Sequence, residues 1–144
     1  MKPVKQRTVH QGFGDCFAAC LASILELPIE AVPSDTSASH QNTVNGFLEQ
    51  FGLEITCHNS SGPIWSDSPW IAFLKSQNYE GVTHAIIMKG SLVLFDPSTK
   101  TRYKTGKGLS SSDVIGGYII RISDFSKLHL LDDYRARLKG ADHE

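Results

Sequence analysis

Four residues carry the chemistry this chain can offer: Cys16, His84, Asp96 and, ahead of them, Gln11. Cys16 follows Asp15, a good N-cap residue, and opens an apolar run, so it is expected at the first position of a helix. There it sits at the positive end of the macrodipole beside unpaired N–H groups, and both favour thiolate over thiol. A thiolate attacks carbonyl carbon, but it needs a nearby imidazole and a third group to orient that imidazole. A hairpin offers the pair. With the turn centred on Gly90, position 88 faces 92, 86 faces 94 and 84 faces 96, which sets His84 across from Asp96. Opposite residues have Cβ atoms about 4.5–5.5 Å apart, close enough for a hydrogen bond that fixes the imidazole tautomer and stabilises the imidazolium. A two-residue turn would shift the pairing by one and leave the two side chains diagonal. Gln11 lies five residues before Cys16 across the Gly-rich link GFGD. Its amide, with a backbone N–H at the helix start, makes a candidate oxyanion hole. Phe13 and Gly14 in that link, and Thr83 beside His84, are the candidate substrate contacts. The arrangement points to acyl transfer through a thioester.

The elements that must hold these residues follow from apolar spacing. Phe17, Cys20, Leu21, Ile24 and Leu25 recur at helical intervals, and Leu27-Pro28 ends the segment because proline disfavours helical geometry in the residue before it. The Ser-rich stretch 33–40, PSDTSASH, reads as a loop and a candidate flap. Val44, Phe47, Leu48 and Phe51 repeat the helical spacing, with Gly52 placed as a C-terminal cap. Positions 53–57 and 70–74 read as strands, 84–88 and 92–96 as a hairpin around Lys89-Gly90-Ser91, and 117–122 as a further strand. A charged helical tail over 128–138 is expected to pack on the surface or to serve an oligomer contact. Helices first and an antiparallel sheet afterwards make an α+β domain.

Composition narrows the functions such a domain can have. The 144 residues are 40% hydrophobic and 20% charged, which suits one ordinary core and leaves no room for a second domain. A formal charge of -1, without a lysine-arginine run, gives no footprint for nucleic acid or an acidic membrane surface. No apolar stretch reaches the ~18 residues of a membrane span. The start MKPVKQRTVHQG lacks a secretory h-region, and three cysteines suit free thiols, so a cytoplasmic location is expected.

The segment QGFGDCFAACLASILELP resembles the nucleophile segment of papain-like cysteine peptidases, most closely the bacteriocin-processing double-glycine peptidase domains. Their motif runs Gln, a short gap, Asp-Cys-Gly-x-Ala-Cys, then an apolar helix. THAIIMKGSLVLFDPS resembles their second motif, a His heading an apolar strand followed by Asp-Pro, and the order Cys, His, Asp agrees. The chain is also similar to small phage and bacterial papain-like proteins that contain D-C-F-x-A-C-x-A-S-I-L-E-L-P. The matched motifs cover 34 of the 144 residues. The resemblance implies a papain-like fold, with the nucleophile helix packed on an antiparallel sheet. It implies Cys16 as nucleophile, His84 as general base and acid, Asp96 as orienting residue and Gln11 as oxyanion donor. Two positions depart: Phe17 stands where the family has glycine, and Gln11 is five residues ahead where six is common. With no transporter in these residues, a double-glycine leader is not implied as substrate.

Blander readings compete at each residue. A cysteine in a capping region is often a small buried hydrophobe, and Cys20, one turn on, is read as core. His84 alone would be a satisfied strand histidine, and Asp96-Pro97 alone a strand-ending turn. Zinc held by Cys16, Cys20, His10 and His84 is disfavoured, because Cys-x3-Cys along one helix face is a poor match to zinc-ligand spacing. Neither metal nor other cofactor is expected. Trp65, Trp70 and Phe73 are expected in the core rather than on a substrate platform, with cleft lining the alternative for Trp65 in its Ser/Gly/Pro loop, and His40, His58, His129 and His143 at the solvated surface. The leading expectation is a thiol hydrolase acting on a peptide or related amide. An amidase or acyltransferase could use the same parts, and an inactive papain-like module holding a peptide or partner protein is the alternative from another class.

Overall fold

The computed structural model describes residues 1–5, 16–33, 40–58, 62–63, 68–75, 83–98 and 103–141. The expectations for His10, Gln11, Phe13, Gly14, Asp15, Trp65, His143 and the 34–39 flap lie outside the described residues, as do those for the side chains of His40 and Thr83.

Helix α1 spans Cys16–Leu25, and α2 spans His40–Glu49. Then come β1 (Leu53–His58), β2 (Trp70–Lys75), β3 (Thr83–Lys89), β4 (Leu92–Phe95) and β5 (Val114–Ile122), with α3 (His129–Ala141) last. The five strands form one sheet in the order β1-β5-β2-β3-β4, antiparallel at every pairing. The fold is therefore α+β with an antiparallel sheet, as the element order predicts.

Helix α1 is more central than its apolar stripe suggests. Nine of its ten residues are buried, so it is covered on all sides rather than laid on the surface. The alanines at 18, 19 and 22 let neighbouring elements approach it closely. Its C-terminus closes before Pro28: Glu26 takes a left-handed φ of 57° and Leu27 N–H returns to the Ala22 carbonyl at 2.9 Å, a Schellman-type end. Arg135 on α3 caps the same end, donating Nε and Nη2 to the Leu25 carbonyl at 2.8 and 2.6 Å. Gly52, with φ 71°, ends α2 as its position in the sequence indicates.

The sheet is covered on both faces. On one face α1 and α2 pack with Ile55, Ile71, Ala85, Ile87 and Tyr118, and α3 adds Leu131 beside them. On the other, Trp70, Ala72, Leu74, Ile86, Met88, Val93 and Val114 are closed over by Tyr103 and Leu109 from the segment between β4 and β5. The charged tail helix thus docks through Leu131, with Tyr134 and Leu138 partly buried against the same core.

Candidate active site

Cys16 is the first residue of α1, at the helix end where backbone N–H groups have no intrahelical partner. The helix packs against β3, and the backbone N–H of Ala85 donates to the Cys16 sulfur at 3.4 Å. Ala85 is fully buried, and its methyl group is small enough to admit the start of α1. The neighbouring residue on β3 is His84, whose side chain hydrogen-bonds with Cys16.

The acid arrives by a different route from the direct pairing that a Gly90-centred turn predicts. Lys89 pairs with Leu92 and Met88 with Val93, so the hairpin turn is the two residues Gly90 and Ser91, with Gly90 at φ 57°. The register then slips, Ile87 pairing with Phe95, which leaves Leu94 as an extra residue on β4. Such a bulge re-aims the chain beyond it. Leu94 and Phe95 both pack toward the α1 side, whereas Val93 packs on the opposite face. Carried one step further, this offset sets Asp96 level with Ile86, a diagonal step from His84 that a long side chain spans. His84 Nε2 meets Asp96 Oδ1 at 2.8 Å.

Asp96 is the most constrained group of the site. Its side chain is 0% exposed and that of His84 16%. Besides His84, Oδ1 accepts the Ser98 N–H at 3.0 Å and the Ser98 hydroxyl at 2.6 Å, while Oδ2 accepts the Tyr103 N–H at 3.2 Å. Burial alone would raise its pKa, but the bonds from His84 and Ser98 outweigh burial and hold the carboxyl well below the usual carboxylate range. For His84 burial works against the charged ring, yet the hydrogen bonds to Asp96 and Cys16 prevail and push its pKa up to about 9. The ring is an imidazolium at neutral pH. With Nε2 committed to Asp96, Nδ1 is the nitrogen left for the thiol.

The Tyr103 ring stacks on the imidazole, centroids 6.5 Å apart at 21°, and Lys107 Nζ lies 5.5 Å from the centroid of the Tyr103 ring. Neither Ser98 nor Tyr103 is among the residues that sequence reasoning selects. Ser98 carried a signal, because Asp followed two residues later by Ser is a side-chain-to-backbone turn. Tyr103 sits in the polar run TKTRYKT, where no periodicity marks it.

Phe17, which follows Cys16 on α1, is 2% exposed and lies in an aromatic cluster. Its ring centroid is 6.2 Å from Phe73 and 5.7 Å from Tyr118. It is a core residue. Cys20 is fully buried, and burial, with Cys16 and Asp96 adding to it, pushes its thiol pKa up. Trp70 is likewise fully buried, its indole N–H satisfied by the Gly90 carbonyl at 3.1 Å. Among the described residues no group of His, Cys, Asp and Glu side chains is placed to hold a metal, and no helix is long and apolar enough to cross a membrane.

No family model, curated protein or solved structure matches the chain.

Proposed function

We propose that the chain is a papain-like thiol hydrolase that cleaves a peptide or related amide bond. The observation that carries this reading is the run of hydrogen bonds from Cys16 through His84 to a buried, ionised Asp96. A structural histidine needs one satisfied nitrogen. This ring is engaged by a carboxylate and a thiol, and it keeps its proton at neutral pH.

In the proposed reaction the Cys16 sulfur attacks the scissile carbonyl carbon, forming a C–S bond and moving the carbonyl π electrons onto oxygen. N–H groups at the start of α1 receive that oxyanion, and Gln11 is the second donor that the family resemblance implies. The imidazolium of His84 gives its proton to the leaving amine as the C–N bond breaks. Water then attacks the thioester, surrendering a proton to His84, and the acid product departs with the Cys16 sulfur restored. Asp96 stays ionised throughout and holds the ring in register.

One observation favours a second reading, a module that binds a peptide or partner without cleaving it: Cys16 is only 2% exposed. Incubation with a proteome-derived peptide library, read by mass spectrometry of new amino termini, separates the two. Wild type generates termini that Cys16→Ala does not. Identical termini from both proteins, or none from either, would reject the peptidase.

A further inference from the structure

Residues 1–5 run as a strap against α1. Lys2 N–H donates to the Ser23 carbonyl at 3.0 Å, and Val4 N–H to the Ser23 hydroxyl at 2.8 Å. Ser23 is fully buried and its hydroxyl donates to the Ala19 carbonyl at 2.7 Å, so the strap is fastened to the last turn of the nucleophile helix. Val4 adds an apolar contact to the core on that side. From this anchored strap Lys5 reaches the turn after β4. Its Nζ donates to the carbonyls of Asp96 at 3.1 Å and Ser98 at 3.0 Å, and lies 5.2 Å from the centroid of the Phe95 ring.

Lys5 is exposed, yet its Nζ donates to two carbonyls of a single turn, with an aromatic face beside it. Those carbonyls flank the Ser98 N–H, which together with the Ser98 hydroxyl donates to the Asp96 carboxylate. We propose that Lys5 is a positioning residue of the thiol site: by clamping the 96–98 turn to a strap fixed on α1, it sets the direction of the Asp96 carboxylate and through it the His84 ring. The proposal rests on the Cys16, His84 and Asp96 reading above and adds a residue to it. Among the described residues, the groups that face His84 are Asp96 after β4, Cys16 on α1 and the Tyr103 ring; Lys5 touches the backbone behind Asp96.

The sign of one titration separates positioning from a plain charge effect. Losing a nearby cation without moving anything lets His84 hold its proton more tightly and raises its midpoint. Loosening the carboxylate lowers it.

The experiment is the NMR titration of the His84 ring in wild type, Lys5→Met and Lys5→Arg, with thermal melts of all three. The expected result is a wild-type midpoint of about 9. In Lys5→Met it falls by roughly one unit, a tenfold weaker hold on the proton. Lys5→Arg, which can still donate to both carbonyls, restores it. A midpoint in Lys5→Met that stays or rises overturns the clamp, and so does a lower melting temperature with an unmoved midpoint, which marks a merely structural role. If Lys5→Met fails to fold, Lys5→Gln, which keeps an N–H donor on a shorter, uncharged side chain, is titrated instead: an intermediate midpoint supports the clamp and a wild-type midpoint overturns it. A wild-type midpoint at the ordinary 6.5 sinks the thiol site itself and the clamp with it, so the two failures are distinguishable.

Discussion

The backbone N–H of Ala85 donates to the sulfur of Cys16 at 3.4 Å, tying the first residue of α1 to the residue that follows His84. Helix and hairpin therefore meet at the sulfur itself, through a main-chain donor that no side-chain substitution on β3 removes. The imidazole and carboxylate are arranged around that fixed point.

Asp96→Asn preserves shape and removes the charge. Burial, which opposes the imidazolium, then has much less to overcome it, and the His84 midpoint falls from about 9 to 6.5 or lower. NMR titration of the ring reads this directly. Asp96→Ala also leaves the Ser98 and Tyr103 N–H groups without their acceptor, and we expect a loss of roughly 2–4 kcal/mol in urea unfolding.

Stability should depend on pH through the same pair. The His84 pKa is raised in the folded state, so its contribution is complete below 6.5 and is lost as pH rises through about 9. Asp96 is depressed, so its contribution is present above its ordinary 3.8 and is lost only as pH falls through its lowered value. Calorimetry should show a plateau between these limits and a decline from pH 7 to pH 10 on the order of 2 kcal/mol. His84→Gln should lack that alkaline decline.

Cys20 tests whether proximity implies participation. It is fully buried one turn from Cys16, and its thiol is pushed up by burial. Cys20→Ala should cost roughly 1 kcal/mol through the lost volume and leave the labelling of Cys16 unchanged at every pH. A change in the pH dependence of Cys16 labelling would place Cys20 in the site.

Gly52 joins α2 to β1 with φ 71°, and a Cβ there would run into the carbonyl of Asp124. The same close approach lets Ser123 and Asp124 donate N–H bonds to the Gly52 carbonyl at 2.8 and 3.1 Å. Gly52→Ala combines a strained backbone with that clash and should destabilise by roughly 2–3 kcal/mol, read as a lower urea midpoint.

What could be read in advance was whatever one local pattern determines. Helical spacing located α1 and α2, the residue after Asp15 located Cys16 at the start of α1, and alternating or continuous apolar runs located all five strands. The hairpin marks the limit. Its existence was plain, but Lys89-Gly90-Ser91 fits more than one turn length, and the bulge at Leu94 compensates for the shorter turn by carrying Asp96 within reach of His84. That compensation depends on packing across two faces of the sheet, which a single strand's pattern does not encode. Tyr103 and Lys5 were invisible for a similar reason. Lys5 meets Asp96 across 91 positions of sequence, and only the folded strap brings them together.

The most direct test of the central claim is the rate of iodoacetamide alkylation of Cys16 against pH, mapped by peptide mass spectrometry in wild type and His84→Ala. The exposed Cys57 serves as internal comparison. If His84 activates the sulfur, His84→Ala slows the alkylation of Cys16 at neutral pH at least about tenfold and leaves that of Cys57 unchanged. If His84→Ala leaves the Cys16 rate unchanged, or slows Cys57 equally, the Cys16 and His84 pair is not a nucleophile and its partner.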